Sequence, residues 1–294
     1  MRVTQLRVYP VKSLGGQTVS EARVEPWGLA GDRRWGIVDE AGKKVTAREL
    51  RALLGLRAEA IGADAIRIHA DYGSIAVQSP RGATPVPVSH ARQGLAVPAK
   101  ACASDWISAR VGRPVRLVWQ EDPTVRSIDD EHGGRPGDSL TLADAGPLLL
   151  TSEASLAQLQ DWIDAEVGEP DPAGLDPDDV SGPGVLATLT RTVAAPLSML
   201  RFRPNVVIDG EEPFAEDDWP TVRIGDVEFR TSEICDRCVM TTIDPVTLAG
   251  GKEPIRTLAR HRRWDRATWF GTRLVPLGGG RLRVGDTVVA EPGR

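Results

Sequence analysis

The segment Ala65-Ile-Arg-Ile-His-Ala-Asp-Tyr-Gly-Ser-Ile-Ala-Val77 contains two short runs in which apolar and polar residues alternate. Alternation of this kind is typical of a strand with one buried face. Between the runs, Asp71-Tyr-Gly73 supplies a turn in which glycine can adopt a positive φ. The segment therefore predicts a β-hairpin. Similar short runs recur along the chain and together predict an antiparallel sheet or barrel; they lie at residues 3–11, 34–38, 202–208, 222–229 and 282–289.

Three stretches show helical patterning instead of alternation. Ser104-Asp-Trp-Ile-Ser-Ala-Arg-Val111 predicts a short helix that Ser104 caps and Gly112 ends. Residues 153–167 carry an apolar stripe at helical spacing, and a further helical stretch lies around residues 253–260. Because the strand signals outnumber the helical ones, the predicted fold class is α+β and strand-dominated.

Length, charge and cysteine usage limit the class of protein. The 294 residues are 41% hydrophobic and 26% charged, which is ordinary for one large or two closely packed domains. A formal charge of −5 and a pI near 5.5 argue against nucleic acid or an anionic membrane as partner. The sequence also has no apolar run long enough to span a bilayer. Three cysteines suit a reducing compartment, and abundant Gly, Ala, Arg and Pro suggest a bacterial source, so we expect a cytoplasmic protein.

The pattern Cys235-Asp-Arg-Cys238 has the clearest chemical content in the chain. A structural zinc site needs four ligands, but the third cysteine, Cys102, is remote in sequence and the histidines show no ligand spacing. A dithiol redox pair is expected at a helix N-terminus, whereas a β-branched run over residues 239–243 follows here. A thiolate beside Arg237 remains, which suits molybdenum, copper or an iron–sulfur cluster. The spacing does not choose among these metals.

Three basic residues far apart in the sequence, Lys12, Arg33 and Arg203, each lie at a strand end or turn. Pro10 and Pro204 restrict the backbone near two of them, and a preorganised anion site requires such restriction. Ser152 is placed as a helix N-cap, and a helix N-terminus can also bind an anion. For each basic residue taken alone, a solvated surface charge is the alternative interpretation.

Several segments, taken in chain order, resemble the MOSC family, the molybdenum cofactor sulfurase C-terminal domain proteins. The similarity is to the branch with an N-terminal β-barrel domain, which includes the mitochondrial amidoxime-reducing component. It extends from Tyr9 to Val284-Gly-Asp286 and covers almost the whole chain. The matching segments are Tyr9-Pro-Val-Lys-Ser13, Gly31-Asp-Arg-Arg-Trp35, Val45-Thr-Ala-Arg48, Leu149-Leu-Thr-Ser-Glu-Ala-Ser-Leu156, Arg203-Pro-Asn205 and Cys235-x-Arg-Cys-x-x-Thr-Thr-x-Asp-Pro245.

The resemblance implies two domains that pack on each other. An N-terminal MOSC β-barrel domain is expected over residues 1–100, and a C-terminal MOSC β-barrel domain with a few helices over residues 101–294. The stretch at residues 168–185 is acidic and rich in Pro and Gly, so it is expected to be an exposed insertion.

The resemblance also implies a molybdenum cofactor with a single pyranopterin and with Cys238 as the protein ligand to the metal. Lysine and arginine would supply counter-charge to this anionic group, and asparagine could both donate and accept hydrogen bonds. Asp236 departs from the family pattern, which has a small or neutral residue there, so its carboxylate either points to solvent or tunes the metal. The residues implied to hold the cofactor are Lys12, Ser13, Arg33, Ser152, Arg203, Asn205, Asp236 and Arg237.

The activity implied is the reduction of N-hydroxylated compounds such as amidoximes, in which the N–OH oxygen leaves as water. Asp244 is the candidate for proton handling or for ordering the cysteine loop. The chain lacks the cysteine spacing of the [2Fe–2S] domain that some bacterial relatives carry, so the electrons are expected from a separate reductase. The protein itself is expected to be monomeric. Alternatives are a carrier that holds the cofactor or a persulfide on Cys238, and a metal-free interaction module.

We predict that Cys238→Ala abolishes amidoxime turnover, because the metal loses its protein ligand, while the fold and much of the pterin are retained. Cys235→Ser should be far less damaging. Turnover, pterin content and circular dichroism of the two variants test this assignment. An active, molybdenum-loaded Cys238→Ala protein would contradict it. If Cys235→Ser loses as much activity as Cys238→Ser, either the ligand has been misassigned or the two cysteines act as a pair.

Overall fold

The computed structural model describes residues 1–90, 93–166, 196–291 and 293. Within these residues the strands outnumber the helices, and the strand-dominated α+β prediction is confirmed. The insertion predicted at residues 168–185 lies outside the described residues. Among the helices that are described, none has the length and apolar character needed to cross a membrane.

The chain up to residue 119 forms short strands and one helix. These elements are β1 (Val3–Val8), β2 (Gln17–Val19), β3 (Glu21–Glu25), β4 (Gly28–Leu29), β5 (Trp35–Val38), β6 (Lys44–Val45), β7 (Arg57–Ala60), β8 (Ala65–His69), β9 (Ser74–Gln78), β10 (Val86–Val88), β11 (Gly94–Pro98), α1 (Ala101–Val111) and β12 (Arg116–Trp119).

The remainder of the described chain has longer strands and two helices. These elements are β13 (Leu148–Ser152), α2 (Glu153–Glu166), β14 (Val206–Ile208), β15 (Thr221–Ile224), β16 (Val227–Asp236), α3 (Ile255–His261), β17 (Arg263–Trp264), β18 (Ala267–Pro276), β19 (Gly280–Arg283) and β20 (Val288–Ala290).

Four sheets organise these strands. The nine-stranded sheet has the order β2-β1-β14-β13-β18-β16-β15-β20, with β17 paired to β18, and the five-stranded sheet has the order β10-β11-β12-β5-β6. Two three-stranded sheets have the orders β19-β3-β4 and β7-β8-β9. Because β1 pairs with β14 and β3 with β19, the first strands of the chain complete sheets of the C-terminal half. The domain boundary between residues 100 and 101 stays a prediction.

The hairpin predicted from residues 65–77 corresponds to β8 and β9. In this antiparallel pair Ala65 lies opposite Gln78 and His69 opposite Ser74. Gly73 in the turn has a φ of +88° and accepts a 3.1 Å hydrogen bond from the backbone N–H of Ala70. The alternation of apolar and polar residues and the turn glycine therefore account for this element without tertiary information.

Two large apolar cores stabilise the two halves. The N-terminal core lies between α1 and strands β5 to β9 and includes Ile37 and Ile107, both fully buried. The second core joins the nine-stranded sheet to β3 and β19, around Leu6 and Phe229. Each core is a continuous cluster of buried side chains. Burial of each large apolar side chain contributes about 1.5–3 kcal/mol to the free energy of unfolding.

Two helix predictions have different outcomes. Helix α2 begins at Glu153 as expected, but α1 begins at Ala101, three positions before the predicted cap. Ser104 is buried inside α1, and its hydroxyl accepts a 3.1 Å hydrogen bond from the backbone N–H of Leu117 in β12. The serine therefore connects helix to strand and does not cap the helix.

A buried carboxyl lies beneath α2. Glu216, in the 3-10 helix Ala215–Asp218, is 1% exposed and accepts hydrogen bonds of 2.8 and 3.0 Å from the hydroxyl of Ser155. Burial disfavours the charged form and raises the pKa of Glu216 from 4.5 to about 7. A raised pKa in an acid means that the folded chain holds the proton more tightly than the unfolded chain. The contribution of protonated Glu216 to the free energy of unfolding is therefore fully present below pH 4.5 and is lost as the pH rises through 7.

We predict that Glu216→Gln removes this pH dependence, because glutamine keeps a polar side chain that cannot ionise. Between pH 5 and pH 8 the free energy of unfolding of the wild type should fall by about 2 kcal/mol more than that of the variant. Urea denaturation at both pH values measures the difference. Identical pH dependence in the two proteins would show that Glu216 ionises normally.

Candidate functional site

The two cysteines of the Cys-Asp-Arg-Cys pattern differ in accessibility. Strand β16 ends at Asp236, and the 3-10 helix Val239–Thr242 begins directly after Cys238. Cys235 is 6% exposed, whereas Cys238 is only half-buried. The Cys238 carbonyl accepts hydrogen bonds from the N–H (3.1 Å) and hydroxyl (3.0 Å) of Thr241, which fixes the turn. Of these two sulfur atoms, Cys238 Sγ is the more accessible to a ligand.

The cysteine loop, residues 235–250, is held by both halves of the protein. Its first part belongs to β16 in the nine-stranded sheet. Its second part enters the N-terminal core, where Ile243 is 3% exposed and Met240 and Leu248 pack against the same cluster. Cys238 lies between these two anchored parts, so its position depends on how the two halves pack.

Asp244 stabilises the far end of this loop. Its Oδ1 accepts hydrogen bonds from the backbone N–H groups of Val246 (3.0 Å) and Thr247 (2.8 Å), and its Oδ2 pairs with Arg201 at 3.0 Å. The hydrogen bond from Thr247 is the largest cause of a lowered pKa for Asp244. These contacts support the loop-ordering role. The catalytic role of Asp244 stays a prediction.

Tyr9 is enclosed by two of the predicted cofactor-binding arginines. The guanidinium carbons of Arg33 and Arg203 lie 4.7 and 4.4 Å from the centre of its ring, which is 2% exposed. Arg33 pairs with buried Asp32 and donates hydrogen bonds to Asn205 Oδ1 (3.0 Å) and to the carbonyl of Arg203 (3.1 Å). Burial lowers the pKa of Arg203 to about 10. The guanidinium groups of Arg33 and Arg203 therefore lie close together at Tyr9, and the buried carboxylate of Asp32 pairs with Arg33.

Asn205 makes three hydrogen bonds within the protein. In addition to the bond from Arg33, its Oδ1 accepts a 3.2 Å hydrogen bond from the backbone N–H of Leu149, and its Nδ2 donates a 3.1 Å bond to the carbonyl of Arg7. These contacts position Arg33 and the strand ends, and one amide N–H has no partner among the described residues. Contact of Asn205 with the cofactor stays a prediction.

Arg237 connects this group to Cys238. Its Nε donates to the carbonyl of Phe270 (2.8 Å) and its Nη1 to the carbonyl of Phe202 (3.2 Å), next to Arg203. Burial is the largest cause of the lowered pKa of Arg237. The side chain passes Gly271, where an added Cβ would lie 2.7 Å from the carbonyl oxygen of Leu150 and 3.4 Å from Arg237 Nη2. We call Tyr9, Arg33, Arg203 and Arg237 the basic cradle.

Lys12 and Asp144 lie beside the cradle. Lys12 Nζ donates to the carbonyl of Leu142 (2.7 Å) and pairs with Asp144 at 2.6 Å, and burial lowers the pKa of Lys12 to about 8. Burial alone would raise the pKa of Asp144, but the charges of Lys12, Arg48 and Arg33 outweigh it and hold this pKa far below its usual range. The Asp144 side chain is nevertheless 65% exposed, so this carboxylate is accessible to solvent.

Arg48 reaches Cys238 from the N-terminal half. Desolvation would lower the pKa of Arg48, but the nearby Cys238 and Asp144 raise it. The resemblance was based partly on the segment containing Arg48, but the residue itself was not among the predicted site residues. Its relation to Cys238 joins positions far apart in sequence and carries no local signal.

The acid at position 236 is compensated by a buried base. Asp236 is half-exposed and pairs with Arg273 of β18, which also binds Glu233. Arg273 is 7% exposed, and although burial opposes the charge, Cys235 and these two carboxylates raise its pKa. The negative charge of Asp236 is therefore largely offset beside the proposed cofactor position.

The two predicted serines are placed differently. Ser13 is buried and has a φ of +73°. The hydroxyl of Ser152 accepts a 3.3 Å hydrogen bond from the N–H of Ser155 and faces Gly210, where an added Cβ would lie 2.3 Å from it. Thr151, its neighbour, has a buried hydroxyl with no partner among the described residues and lies against Gly271 beside Arg237. Sequence reasoning missed Thr151.

Two features of the described residues fit an anionic, many-acceptor cofactor in the basic cradle. Arg203 Nη2, Arg237 Nη2 and the Tyr9 hydroxyl are buried without a hydrogen-bond partner, although such groups are normally paired. Seven described residues other than glycine have positive φ, and Ser13, Arg33 and Arg203 are three of them. Strain of this kind costs about 1–3 kcal/mol per residue and concentrates at functional sites. The fold and the site thus define a strand-rich protein in which buried, incompletely paired arginines lie beside an accessible cysteine.

Comparison with known proteins identifies the family. The MOSC domain model matches residues 137–289, and the MOSC N-terminal beta barrel domain model matches residues 1–114. The chain is 32% identical to mitochondrial amidoxime-reducing component 1 of Homo sapiens, over 97% of this chain and 82% of that protein. It is 27% identical to mitochondrial amidoxime reducing component 2 of Rattus norvegicus, with the same coverage. It is 26% identical to molybdenum cofactor sulfurase of Oryza sativa subsp. japonica, over 91% of this chain and 31% of that protein.

The chain belongs to the MOSC family, and its N-terminal MOSC β-barrel domain precedes the MOSC domain, as the resemblance predicted. Its relatives carry the names of amidoxime-reducing components and molybdenum cofactor sulfurases, so it is a molybdenum-cofactor-associated protein of that family.

We predict that Arg203→Met makes the cofactor-free protein more stable, because a buried cation with an unpaired nitrogen is replaced by an apolar side chain. The gain in the free energy of unfolding should be about 1–2 kcal/mol. The same change should reduce retention of bound pterin, because a counter-charge is lost. Urea denaturation and pterin fluorescence after release measure the two effects. Lower stability together with full pterin retention would show that Arg203 serves the fold.

Proposed function

We propose that this protein is a molybdenum-cofactor-dependent oxidoreductase that reduces N-hydroxylated compounds, with Cys238 as ligand to the metal. The observation that carries the proposal is the continuity between Cys238 and the basic cradle. Arg237 lies between the end of β16 and Cys238, and it donates a hydrogen bond to the carbonyl of Phe202, the residue before Arg203. The unpaired donors and the accessible sulfur therefore line one region. An anionic cofactor with a soft metal would satisfy both.

Each part of the region has a distinct task in this proposal. The cradle arginines and Lys12 would bind the phosphate and ring of a single pyranopterin, and Asp32 and Asn205 keep Arg33 oriented toward it. When bound, the cofactor supplies the two-electron redox chemistry that side chains lack. Arg48 would stabilise the thiolate of Cys238, and the N–OH group would approach from the solvent-accessible side at Asp144.

The overall reaction converts an N–OH compound, two electrons and two protons into the amine or amidine and water. We propose that a separate electron-donor reductase supplies the electrons, because the three cysteines of the sequence are not spaced as the ligands of an iron–sulfur cluster are. A monomeric protein, a bacterial source and a cytoplasmic location stay predictions. The names of the most similar relatives refer to mitochondria.

The proposal is tested on protein produced in a host that makes the cofactor. Molybdenum and pterin should be present in equal amounts, and benzamidoxime should be reduced to benzamidine with reduced methyl viologen as donor. Loaded protein that leaves every N-hydroxylated compound unchanged would exclude the reductase.

We predict that Arg33→Lys weakens pterin retention about tenfold, because lysine cannot keep the several hydrogen bonds of the guanidinium. The adjacent Arg34 is a matched control, since its guanidinium donates to the carbonyls of Gln120 and Glu121, away from the cradle. Arg34→Lys should retain the wild-type pterin content. Equal retention in both variants would remove Arg33 from the cofactor site.

A second candidate, a carrier of sulfur or cofactor, is favoured by the accessibility of Cys238 Sγ beside Arg48. Such a thiolate could hold a persulfide. Intact-mass measurement after incubation with a cysteine desulfurase and cysteine separates the two functions. A persulfide on Cys238 that transfers to another protein, without amidoxime turnover, supports the carrier.

A further inference from the structure

A basic hairpin adjoins the cysteine loop. It comprises residues 262–269, including β17 and the start of β18, where Arg263 lies opposite Thr268 and Trp264 opposite Ala267. Arg263 and Arg266 are exposed, and neither has an ion-pair partner within the residues that the structure describes. Asp265 at the tip is also exposed, so these three side chains carry two positive charges and one negative charge. Trp264 is 40% exposed. In a chain with a formal charge of −5, an excess of positive charge around an exposed aromatic ring is a local exception.

The tip of the basic hairpin is strained. Asp265 and Arg266 have φ values of +49° and +63°, which is the geometry of a two-residue hairpin turn normally made by Asn-Gly. Aspartate tolerates this backbone better than arginine does. A glycine at position 266 would relieve the strain, so the fold itself does not account for the arginine.

The exposed ring is rigidly supported. Trp264 stacks on Trp269 with ring centres 5.6 Å apart, and its carbonyl accepts a 3.0 Å hydrogen bond from the Trp269 indole N–H. The guanidinium of Arg262 lies between Phe214 (4.1 Å) and Trp264 (5.0 Å) and pairs with Asp217. Rigid aromatic surfaces of this type are favoured in protein–protein contacts because little conformational entropy is lost on binding.

A short bonded route connects the hairpin to the cysteine. The backbone N–H of Arg237 donates a 2.7 Å hydrogen bond to the carbonyl of Thr268, and the Thr268 hydroxyl donates a 3.0 Å bond to the carbonyl of Arg237. Asp236 lies opposite Trp269 in the sheet. From the Arg237 carbonyl, the covalent path to Cys238 Sγ, the proposed metal ligand, runs through one peptide bond and the Cys238 Cα and Cβ atoms. Electron tunnelling in proteins is fastest through covalent and hydrogen bonds.

We propose that the basic hairpin is the docking surface for a small acidic electron-carrier protein, which delivers electrons through Thr268 and Arg237 toward Cys238. The proposal rests on the proposed oxidoreductase function, because only that function requires a donor. For each N–OH group reduced, two carrier molecules are each oxidised by one electron, the solvent supplies two protons, and the oxygen leaves as water. Charge complementarity identifies the partner, since unpaired arginines steer an acidic face into contact.

The test compares two double variants of the loaded protein that lose the same charge. Arg263→Gln/Arg266→Gln changes the basic hairpin. Arg223→Gln/Arg281→Gln is the control, because Arg223 lies opposite Glu228 at the far end of the β16–β18 ribbon and Arg281 lies on β19, where it pairs with Glu21. Ala267 and Pro276 are nine residue steps apart along β18, which is roughly 30 Å of strand.

Two probes are used, a reduced plant-type [2Fe–2S] ferredoxin as acidic carrier and methyl viologen as a small donor that needs no docking. At low ionic strength the hairpin variant should bind the ferredoxin about tenfold more weakly by calorimetry and accept its electrons about tenfold more slowly in stopped-flow measurements. The difference should disappear at high salt, because screening removes the steering. Benzamidoxime turnover with methyl viologen should be unchanged, and the control should match the wild type with both donors.

A further variant, Arg266→Gly, separates docking from folding. It should resist urea at least as well as the wild type, because the strained φ is relieved, yet lose ferredoxin affinity. Wild-type ferredoxin affinity in the hairpin variant, equal loss in the control, or failure of the wild type to bind the ferredoxin at low salt would each overturn the docking surface. Binding to phosphatidylserine vesicles without binding to ferredoxin would overturn it in favour of a membrane surface. Absence of turnover with methyl viologen in the wild type would instead reject the proposed function.

Discussion

Burial of arginine side chains whose donors are incompletely paired is the constraint on which the site depends. Arg203 and Arg237 each keep a buried nitrogen without a partner among the described residues, and Arg33 and Arg203 share the faces of one tyrosine ring. Desolvation of such groups opposes folding, and Asp32 offsets only part of it. The positive φ of both tyrosine-flanking arginines adds strain to the same place. A bound anion would offset these costs, which is why the proposed function places the cofactor here.

The two halves of the protein meet at the cysteine loop, which explains why the site draws residues from both. Strand β16 delivers Cys238 from the nine-stranded sheet, and Ile243 fixes the rest of the loop in the N-terminal core. Arg48 approaches the sulfur from that N-terminal half. The strand that pairs with β16 also begins in the basic hairpin, so the sheet that positions the ligand extends to an exposed, charged surface.

Local pattern was sufficient for some elements and insufficient for others. Alternation and the turn glycine predict the β8–β9 hairpin, and the apolar stripe predicts helix α2. Ser104, by contrast, is a residue type that often caps helices, but here it is buried and forms a hydrogen bond with Leu117 of β12. Within the site, residue type and turn position leave a solvated surface charge as an alternative for Arg33 and for Arg203, so it is the family resemblance that groups them, and the structure places both against Tyr9. The pairing of Lys12 with Asp144 could not be predicted, because it joins residues more than a hundred positions apart. The engagement of Asn205 by Arg7 and Leu149 is equally nonlocal.

The central claim is that the half-buried Cys238, and not the buried Cys235, binds molybdenum beside the basic cradle. X-ray absorption at the molybdenum edge of the loaded protein tests it most directly, because it counts the sulfur neighbours of the metal. Relative to the wild type, Cys238→Ser should lose one sulfur neighbour and Cys235→Ser should lose none. Loss of a sulfur neighbour in Cys235→Ser, or an unchanged count in Cys238→Ser, would contradict the claim.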